Sequence, residues 1–353
     1  MDKSSSFVIP NAAGDIGYFS TKIASKASNR VSTLAFPSQC ARVMGDQIIS
    51  VGMSSLAGVN VEVAGSSYFV GPDSAMQTKG RVSRTISENF VDTAEYMALY
   101  IGALHYILRD YSSQIKGLDK VTIKRLVAGL PLNTFTEKKE KLRSLLEGIH
   151  TVPSPEGKKI QVEVRSVTVI PQPQGAMINS GITLPQDEMM DYYKQNLLII
   201  DLGGGTCDWL LSNDRKFISA RSGAYQKGVL ACVYAICEAI NKNFSTDSLV
   251  IQRIDDALRT GKKSFKLTGT EYMVSDYMVH ADHILNECLN QILTSVGSMT
   301  SVDKIIFTGG GGHMLYERAQ HVWRDYKQVM TIDANPVFSI VTGMFHIGEL
   351  LNA

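Results

Sequence analysis

The stretch LLIIDLGGGTCD, residues 197–208, contains the strongest indication of the fold. Its first four residues are apolar, which is typical of a strand buried on both faces, and the change to Asp201 and three glycines predicts a tight turn. Glycines leave room for a ligand, and successive backbone N–H groups in such a turn attract anions, above all phosphate. Asp201 beside a phosphate implies a cation between the two negative groups, and Mg²⁺ is the usual one. From this stretch alone, an ordinary glycine turn after a buried strand is an equal alternative.

The composition indicates a protein of two domains of ordinary size. The chain has 353 residues, and a domain takes roughly 150. The 35 Lys and Arg balance 34 Asp and Glu, so the charge does not suggest a protein that coats nucleic acid. Five cysteines without a C-x-x-C pair favour reduced thiols in a cytoplasm. No signal peptide and no membrane-spanning apolar run are recognisable, so we expect a soluble cytoplasmic protein.

A second loop of the same character lies near the N-terminus. Asp15 and Gly17 are followed by the hydroxyls of Ser20 and Thr21 and by Lys22. Small residues, hydrogen-bond donors and a positive charge again suit a polyphosphate. We expect Asp15 to face Asp201 across the ligand and Lys22 to neutralise phosphate oxygens. A surface hairpin with a solvated lysine is the alternative, and it is favoured if this loop stands alone.

A third glycine turn follows the apolar run at 304–308. The segment from Thr308 to His313 contains Gly309, Gly310, Gly311 and a fourth glycine, and it predicts a buried strand that meets a turn opening a helix. Bare backbone of this kind allows a flat ring or a ribose to lie against it. Three glycine turns after strands, two of them with an aspartate, are far more specific than any one of them.

Between these loops the pattern predicts alternating strands and helices. Two prolines flank Gln172 and fix the backbone there, which places its amide at the end of a strand, where α/β folds keep their working groups. Predicted strands are 7–9, 31–37, 119–127, 162–170 and 209–212, with antiparallel strands or a small inserted subdomain over 42–70. Predicted helices are 87–108, 137–149 (capped by Thr134 or Thr136), 223–241, 272–296 and one begun by Asn335-Pro336.

The residues of the three loops resemble the superfold shared by actin, Hsp70 and sugar kinases. Asp15-x-Gly17 with Lys22 is similar to its first phosphate loop, the motif from Asp201 to Asp208 to its second, and 308–311 to its adenosine loop. Within the superfold, the chain resembles the ParM/StbA-type actin-like proteins of plasmid segregation. Leu130-Pro131-Leu132 before a charged helix, Pro171-Gln172 and Gly343-Met344 are similar to residues of that group. The resemblance spans nearly the whole chain and is weak over residues 40–85.

The resemblance implies an α/β protein with an actin-like fold, in which two domains with duplicated mixed-sheet cores flank a nucleotide cleft. Domain I takes residues 1–175, with the small insertion at about 40–85 and a returning helix at 335–353, and domain II takes 176–334. It also implies ATP, or GTP, bound with Mg²⁺. Asp15 and Asp201 would hold the metal largely through water.

The same resemblance assigns the remaining site residues. Gln172 would orient the attacking water, where ParM-type proteins carry a glutamate and conventional actins a glutamine. The bulky pair Tyr18-Phe19 departs from the small polar residues common in the first loop, so hydroxyl contacts there must come from Ser20 or Thr21. The residues implied to bind phosphates or the nucleoside are Asp15, Gly17, Ser20, Thr21, Lys22, Gly203, Gly204, Gly205, Thr206, Gly228, Thr308, Gly309, Gly310 and Gly311.

The function that the resemblance implies is that of an ATP hydrolase that assembles into filaments with ATP and loosens after hydrolysis. Its partners would be further copies of itself and a DNA-binding adaptor protein, through which it would segregate plasmid or other DNA without binding DNA or a membrane directly. Two alternatives remain open from the sequence. One is a monomeric small-molecule kinase of the same superfold, and the other is a nucleotide-binding scaffold with little turnover.

Overall fold

The structure, a computed structural model, describes residues 6–43, 55–78, 87 and 89–352. It divides into two compact units. The first unit comprises Met1–Gly129, Lys138–Val169 and Gly348–Ala353, and the second comprises Leu130–Glu137 and Ile170–Ile347. No helix within the described ranges combines the length and the hydrophobicity that crossing a membrane requires.

Strands dominate the first unit. These strands are β1 (Phe7–Ile9), β2 (Ala12–Ile16), β3 (Ser20–Ser25), β4 (Ser32–Pro37), β5 (Ala41–Arg42), β6 (Val59–Val63), β7 (Ser66–Val70), β8 (Lys120–Ile123), β9 (Leu126–Leu130), β10 (Gly148–Pro153), β11 (Lys159–Val164) and β12 (Val167–Pro171). They form a five-stranded mixed sheet, a four-stranded mixed sheet and a small antiparallel sheet, in the orders β12-β9-β2-β3-β4, β1-β8-β11-β10 and β5-β7-β6. The small sheet confirms the predicted antiparallel strands for the described part of 42–70, and the predicted segments at 44–54 and 79–86 lie outside the described residues.

Two helices accompany these sheets. Helix α1 (Ala94–Asp110) follows a short 3-10 helix at Phe90–Asp92 and packs its largely buried face on β2 and β3. The Thr93 hydroxyl caps it by accepting the Tyr96 N–H at 3.1 Å, which supplies one of the bonds that a helix N-terminus lacks. Helix α2 (Leu132–Leu146) belongs to the second unit up to Glu137 and to the first unit from Lys138 onward.

The second unit is built around the strand predicted from the opening motif. This is β13 (Leu197–Leu202), and the other strands are β14 (Cys207–Asn213), β15 (Lys216–Phe217), β16 (Gly223–Tyr225), β17 (Ser264–Leu267), β18 (Thr270–Met273), β19 (Lys304–Thr308) and β20 (Met330–Ile332). Strand β13 is buried at all six positions, because it lies in the interior of a sheet with the order β15-β14-β13-β19-β20. The helices are α3 (Gln172–Ile182), α4 (Gln186–Tyr192), α5 (Val229–Ile240), α6 (Ser248–Arg259), α7 (Val274–Val296), α8 (Gly312–Val322) and α9 (Ser339–Asn352).

Two predicted strands are wrong in the same way. The segment 119–127 forms β8 and β9, and the segment 162–170 forms β11 and β12, with each pair divided between two sheets. The chain crosses from one sheet to the other at Lys124, whose N–H donates to Ile9 O at 2.9 Å, and at Arg165, whose N–H donates to Ile123 O at 3.0 Å. The backbone groups at these crossings are therefore satisfied without a turn residue that would mark them in the sequence.

Several predicted helix starts are also wrong. Helix α1 begins at Ala94 rather than near 87, and α5 begins at Val229 because residues 223–225 pair with β14 as β16. Helix α2 begins at Leu132 rather than near 137, and its last predicted residues belong to β10. Thr134 does not cap α2 from outside but lies in its first turn, where its hydroxyl donates to Pro131 O at 3.3 Å. The long helix predicted at 272–296 is confirmed as α7.

The unit bounds differ from the predicted domain bounds at three places, because Leu130–Glu137, residues 170–175 and residues 335–347 all fall in the second unit. Helix α3 and the first part of α9 fall in the second unit, since Gly175 and Gly343 let the two helices touch. A Cβ on Gly343 would lie 1.8 Å from Gly175 O. Of α9, only the residues from Gly348 onward fall in the first unit. A Cβ on Gly348 would lie 1.9 Å from Asn11 Oδ1 of that unit.

Candidate functional site

Asp201 lies next to the last residue of β13, within the sheet of the second unit. It is directly opposite Asp208 on the antiparallel neighbour β14 and directly opposite Thr308 on the parallel neighbour β19. The side chain is buried, with 4% of its surface exposed. Burial of a carboxylate costs free energy that its surroundings must offset, so Asp201 is a candidate for a functional role.

The turn after β13 is held by its own backbone. Gly203 N–H donates to Thr206 O at 2.9 Å, and the carbonyls of Gly203 and Gly204 accept the N–H groups of Val229 and Leu230 at 3.0 and 2.9 Å. In a trans peptide the C=O and the N–H point to opposite sides. The N–H groups of Gly204 and Gly205 therefore point away from α5.

These N–H groups are available for a ligand. In the part of the chain that the structure describes, the N–H groups of Gly204, Gly205 and Thr206 donate no hydrogen bond to a backbone carbonyl. Three successive N–H groups in a turn form a concavity suited to an anion. Gly228 keeps the turn in place, since a Cβ there would lie 2.4 Å from Gly203 O and 2.8 Å from Gly204 O.

The third glycine loop joins the same cluster. Gly309 follows β19 with φ of +85°, and a Cβ there would lie 2.0 Å from Asp201 Oδ1. Gly311 N–H donates to Leu202 O at 2.9 Å, and a Cβ on Gly311 would lie 2.4 Å from a methyl group of Val229. Gly310 has open space around its Cβ position. The loop thus lies directly against the end of β13 and the start of α5.

Thr308 has a structural contact rather than an exposed hydroxyl. Its side chain is fully buried, and its Oγ1 donates to Pro336 O at 3.2 Å. The structure therefore brings together the predicted residues of the second and third loops and Gly228 within one unit. These residues are Asp201, Gly203, Gly204, Gly205, Thr206, Gly228, Thr308, Gly309, Gly310 and Gly311.

The first loop is a hairpin in the first unit. Asp15 on β2 lies directly opposite Lys22 on β3, and Lys22 Nζ is 2.9 Å from Asp15 Oδ2. The pair is almost fully buried, with 1% of the Asp15 and 12% of the Lys22 side chain exposed. Gly17 N–H donates to Ser20 O at 3.2 Å and closes the turn. The segment forms a hairpin, as the alternative of a surface hairpin with a solvated lysine also predicts. Its lysine, however, is not solvated.

The structure distinguishes the two hydroxyl candidates of this hairpin. Successive residues of a strand alternate between its faces, so Ser20 and Lys22 share one face of β3 and Thr21 lies on the other. Thr21 is fully buried, and its hydroxyl lies 2.9 Å from the hydroxyl of Ser38. Of the predicted pair, Ser20 is therefore the one on the face of Asp15 and Lys22.

Gln172 is the first residue of α3, directly after β12, as predicted for the end of a strand. The helix begins at Gln172, with Pro171 before it in an extended conformation. The side chain is buried, with 7% exposed. Helix α3 packs on β13 and β14, the strands that carry Asp201 and Asp208.

The two halves of the chain match two related family models. Residues 13–175 match the N-terminal domain of actin-like proteins, and residues 199–321 match the C-terminal domain of the archaeal MreB-like actin homologues. The chain belongs to the actin-like proteins. This confirms the resemblance and the actin-like fold predicted from the three loops. Direct comparison with curated protein sequences gives no match.

Solved structures agree with the fold of this actin-like chain. A 15-stranded ParM filament from Clostridium botulinum has a TM-score of 0.75 at 18% identity, covering 96% of this chain and 99% of that one. An archaeal actin homologue in complex with ADP has a TM-score of 0.69 at 20% identity, covering 96% and 99%. Apo pSK41 ParM has a TM-score of 0.67 at 19% identity, covering 98% of both chains.

One polar residue of this actin-like protein received no role from its sequence. Asp208 is fully buried on β14, and its Oδ1 accepts the N–H of Leu132 at 2.8 Å. The carboxylate thereby caps the N-terminus of α2, where a negative charge is favourable. Its place in the motif beside Asp201 was the available signal. The next residue, Trp209, packs its ring on Gly223 and donates its indole N–H to Ser295 Oγ at 3.1 Å.

Lys227 is a second residue that sequence reasoning missed. It precedes Gly228, and its Nζ lies 2.5 Å from Glu287 Oε2 on α7, where Tyr225 also donates to the carboxylate at 3.2 Å. The hydrogen bond with Glu287 raises the pKa of Lys227, so the ammonium keeps its charge next to Gly228. The one sequence feature that could have indicated Lys227 is its position directly before Gly228 at the start of a helix.

The residues present fit a Mg²⁺-nucleotide. The glycine cradle would be filled by any Cβ at 228, 309 or 311, and it presents N–H groups to an anion beside a buried carboxylate. Among the described residues, no three His, Cys, Asp or Glu side chains are grouped as a protein metal site. Binding largely through water, the mode predicted for Asp15 and Asp201, needs no such group. These two residues lie in different units, and their sharing of one Mg²⁺ stays a prediction.

Proposed function

We propose that this chain is a filament-forming ATPase that binds ATP with Mg²⁺ and loosens its filament after hydrolysis. The observation that carries the proposal is the turn 203–206, with three consecutive N–H groups beside the buried Asp201. An anion-binding turn beside a carboxylate suits a phosphate and its cation. A turn with a purely structural role would need neither of the two features. The ADP complex of an archaeal actin homologue with the same fold supports the nucleotide.

The proposed roles of the residues are supported by their surroundings. The N–H groups of Gly204, Gly205 and Thr206 hold phosphate oxygens, and Gly309 to Gly311 offer flat backbone to the nucleoside. Lys22 and Ser20 act on phosphate from one face of the first hairpin. Asp15 and Asp201 would hold the metal largely through water, and a bound Mg²⁺ would supply positive charge to the phosphates.

Gln172 would orient the attacking water through its amide. Phosphoryl transfer to water depends mostly on positioning and charge stabilisation, so an amide can serve without being a strong base. Its position at the start of α3 is rigid, because α3 is packed against α9 through Gly175 and Gly343. A fixed amide loses little freedom when it holds a water molecule.

The proposed process is the segregation of plasmid or other DNA in the cytoplasm. Further copies of this chain are the proposed filament partners, and a DNA-binding adaptor protein is the proposed link to DNA. A solved ParM filament with the same fold supports self-assembly. The near-equal numbers of positive and negative residues support an adaptor rather than direct DNA binding.

Sedimentation and phosphate release test the proposal. The purified chain should pellet with ATP and Mg²⁺ above a critical concentration, and the polymer should disappear as phosphate is released. Asp201→Ala should weaken Mg²⁺-dependent ATP binding by about 10- to 150-fold, since a charge-assisted contact contributes ~1.5 to 3 kcal/mol. Asp325→Ala, which removes the same charge from an exposed position of the same unit, is the matched control.

The outcomes separate the alternatives. A wild type that binds ATP but never pellets would refute the filament and leave a kinase or a scaffold. Equal phosphate release from the wild type and Gln172→Ala would refute the role of Gln172. Polymer that forms with ATP and persists without any phosphate release would identify a nucleotide-gated scaffold.

A further inference from the structure

Tyr18 occupies the tip of the first hairpin, where a bulky residue is unexpected. Its phenol donates to Ser87 O at 3.0 Å. Its ring lies 5.3 Å from the ring of Phe90 at an interplanar angle of 32°. The side chain is thus fixed at both ends, by a hydrogen bond and by a ring contact. A solvated loop residue would have neither contact.

Phe90, the ring that Tyr18 contacts, also contacts a third aromatic ring. Phe90 lies 5.3 Å from Tyr96 in an edge-to-face arrangement of 84°, a geometry that aromatic pairs favour. Tyr96 is 2% exposed, and burial together with the carboxylate of Asp15 raises the pKa of its phenol well above the ordinary value. We call Tyr18, Phe90 and Tyr96 the aromatic clamp. It runs from the tip of the hairpin to the neighbourhood of Asp15.

The segment that receives Tyr18 is itself anchored. Asp92 Oδ1 lies 2.5 Å from Lys141 Nζ, and its Oδ2 lies 3.6 Å from Lys138 Nζ on α2. Lys138 also donates to Asn89 Oδ1 at 3.2 Å. The hydrogen bond from Lys141 lowers the pKa of Asp92, so the ion pair persists at neutral pH. Tyr18 therefore packs on a fixed surface of the first unit.

The other side of the tip is also held. Phe19 O accepts the N–H of Ser38 at 2.8 Å, and the Ser38 hydroxyl lies 2.9 Å from that of Thr21. The turn from Gly17 to Phe19 is thus fixed from two directions, by Tyr18 on one and by Ser38 on the other. A turn fixed before binding loses less conformational freedom when it takes up a ligand.

We propose that Tyr18 is a positioning residue for phosphate binding by the first hairpin. Its side chain packs on the protein and fixes the turn that leads into β3, so that Ser20 and Lys22, on one face of β3, are held in place for phosphate oxygens. The bulky residue thereby replaces the direct hydroxyl contact of a small residue with preorganisation of the backbone. This inference rests on the proposed function, because it requires a phosphate-bearing ligand at this hairpin.

Two substitutions separate the ring from the hydroxyl. Tyr18→Phe keeps the contact with Phe90 and loses the bond to Ser87, whereas Tyr18→Ala loses both. Tyr18→Ala should weaken ATP binding by about 5- to 30-fold, and Tyr18→Phe by about 2- to 5-fold. Tyr272→Ala is the matched control, because it removes a ring stacked at 5.7 Å on Phe265 in the second unit.

Calorimetric titration of ATP with Mg²⁺ and, separately, of adenosine is the decisive measurement. A positioning role at phosphate predicts that Tyr18→Ala weakens ATP and leaves adenosine unchanged, while Tyr272→Ala changes neither. Unchanged ATP affinity in Tyr18→Ala would overturn the inference and leave the proposed function standing. An equal loss of ATP and adenosine affinity would also overturn it, since general loosening would then be the cause. A wild type that binds neither ligand would overturn the proposed function, and the inference would fall with it.

Discussion

Replacing Gly309 by alanine should destabilise the second unit. The backbone has φ of +85°, a left-handed region that costs an alanine ~1 to 2 kcal/mol. The new Cβ would also lie 2.0 Å from Asp201 Oδ1 and 2.6 Å from Leu202 O, and relief of such overpacking costs ~1 to 3 kcal/mol. The sum of about 2 to 5 kcal/mol corresponds to a melting temperature about 5 to 15 °C lower.

Gly310 provides the matched control for this substitution. It is the next residue of the same loop, its φ is not in the left-handed region, and its Cβ position has no atom within 4 Å. Gly310→Ala should therefore keep the melting temperature within about 2 °C of the wild type, because compatible glycine-to-alanine changes are worth ~0.4 to 1 kcal/mol. Differential scanning calorimetry of the two variants checks this. Equal melting temperatures for Gly309→Ala and Gly310→Ala would refute the reasoning about the cradle.

Two further predictions follow from buried polar groups. Asp208→Ala should lower the free energy of unfolding in urea by ~1 to 3 kcal/mol, because the Leu132 N–H loses its acceptor. Asp208→Asn keeps an acceptor and should recover most of that loss. Similar losses in both variants would show that the charge of Asp208, and not its hydrogen bond, stabilises the protein. Burial is the main cause that lowers the pKa of both His105 and His150, so stability should be complete above about pH 6.5 and fall as the pH drops below it, where the unfolded chain binds more protons. Urea midpoints at pH 7.5 and 5.5 measure this fall, and a double His→Gln variant with the same fall would exclude these two residues.

The strands that precede the second and third loops could be predicted, because the order of their residues alone indicates a buried strand that ends at a glycine. The run 197–202 is apolar apart from Asp201 and is buried at every position, and the run 304–308 lies beside it in the sheet. In both, the change from apolar residues to glycine marks the end of the strand. Local sequence therefore suffices where burial on both faces and a glycine turn coincide.

The failures arise where distant residues determine the local structure. Helix α2 begins at Leu132 because Asp208, 76 residues away, accepts its first N–H. The crossing at Lys124 is satisfied by Ile9 and carries no glycine or proline, so 119–127 has the pattern of one strand. Such partners cannot be inferred from neighbours in the sequence. Whether the first and second loops act on one ligand is likewise beyond local patterns, and it stays a prediction.

The packing of Trp209 has an optical consequence. Its indole directly follows Asp208, is 4% exposed, and is held by Gly223 and by the bond to Ser295. Indole emission changes with the polarity of its surroundings, and the chain has one other tryptophan, Trp323. With Trp323 replaced by phenylalanine, Trp209 would be the single tryptophan, three residues beyond Thr206, the last residue of the turn 203–206. The protein thus carries its own reporter, and occupancy of that turn could be followed by emission without any attached label.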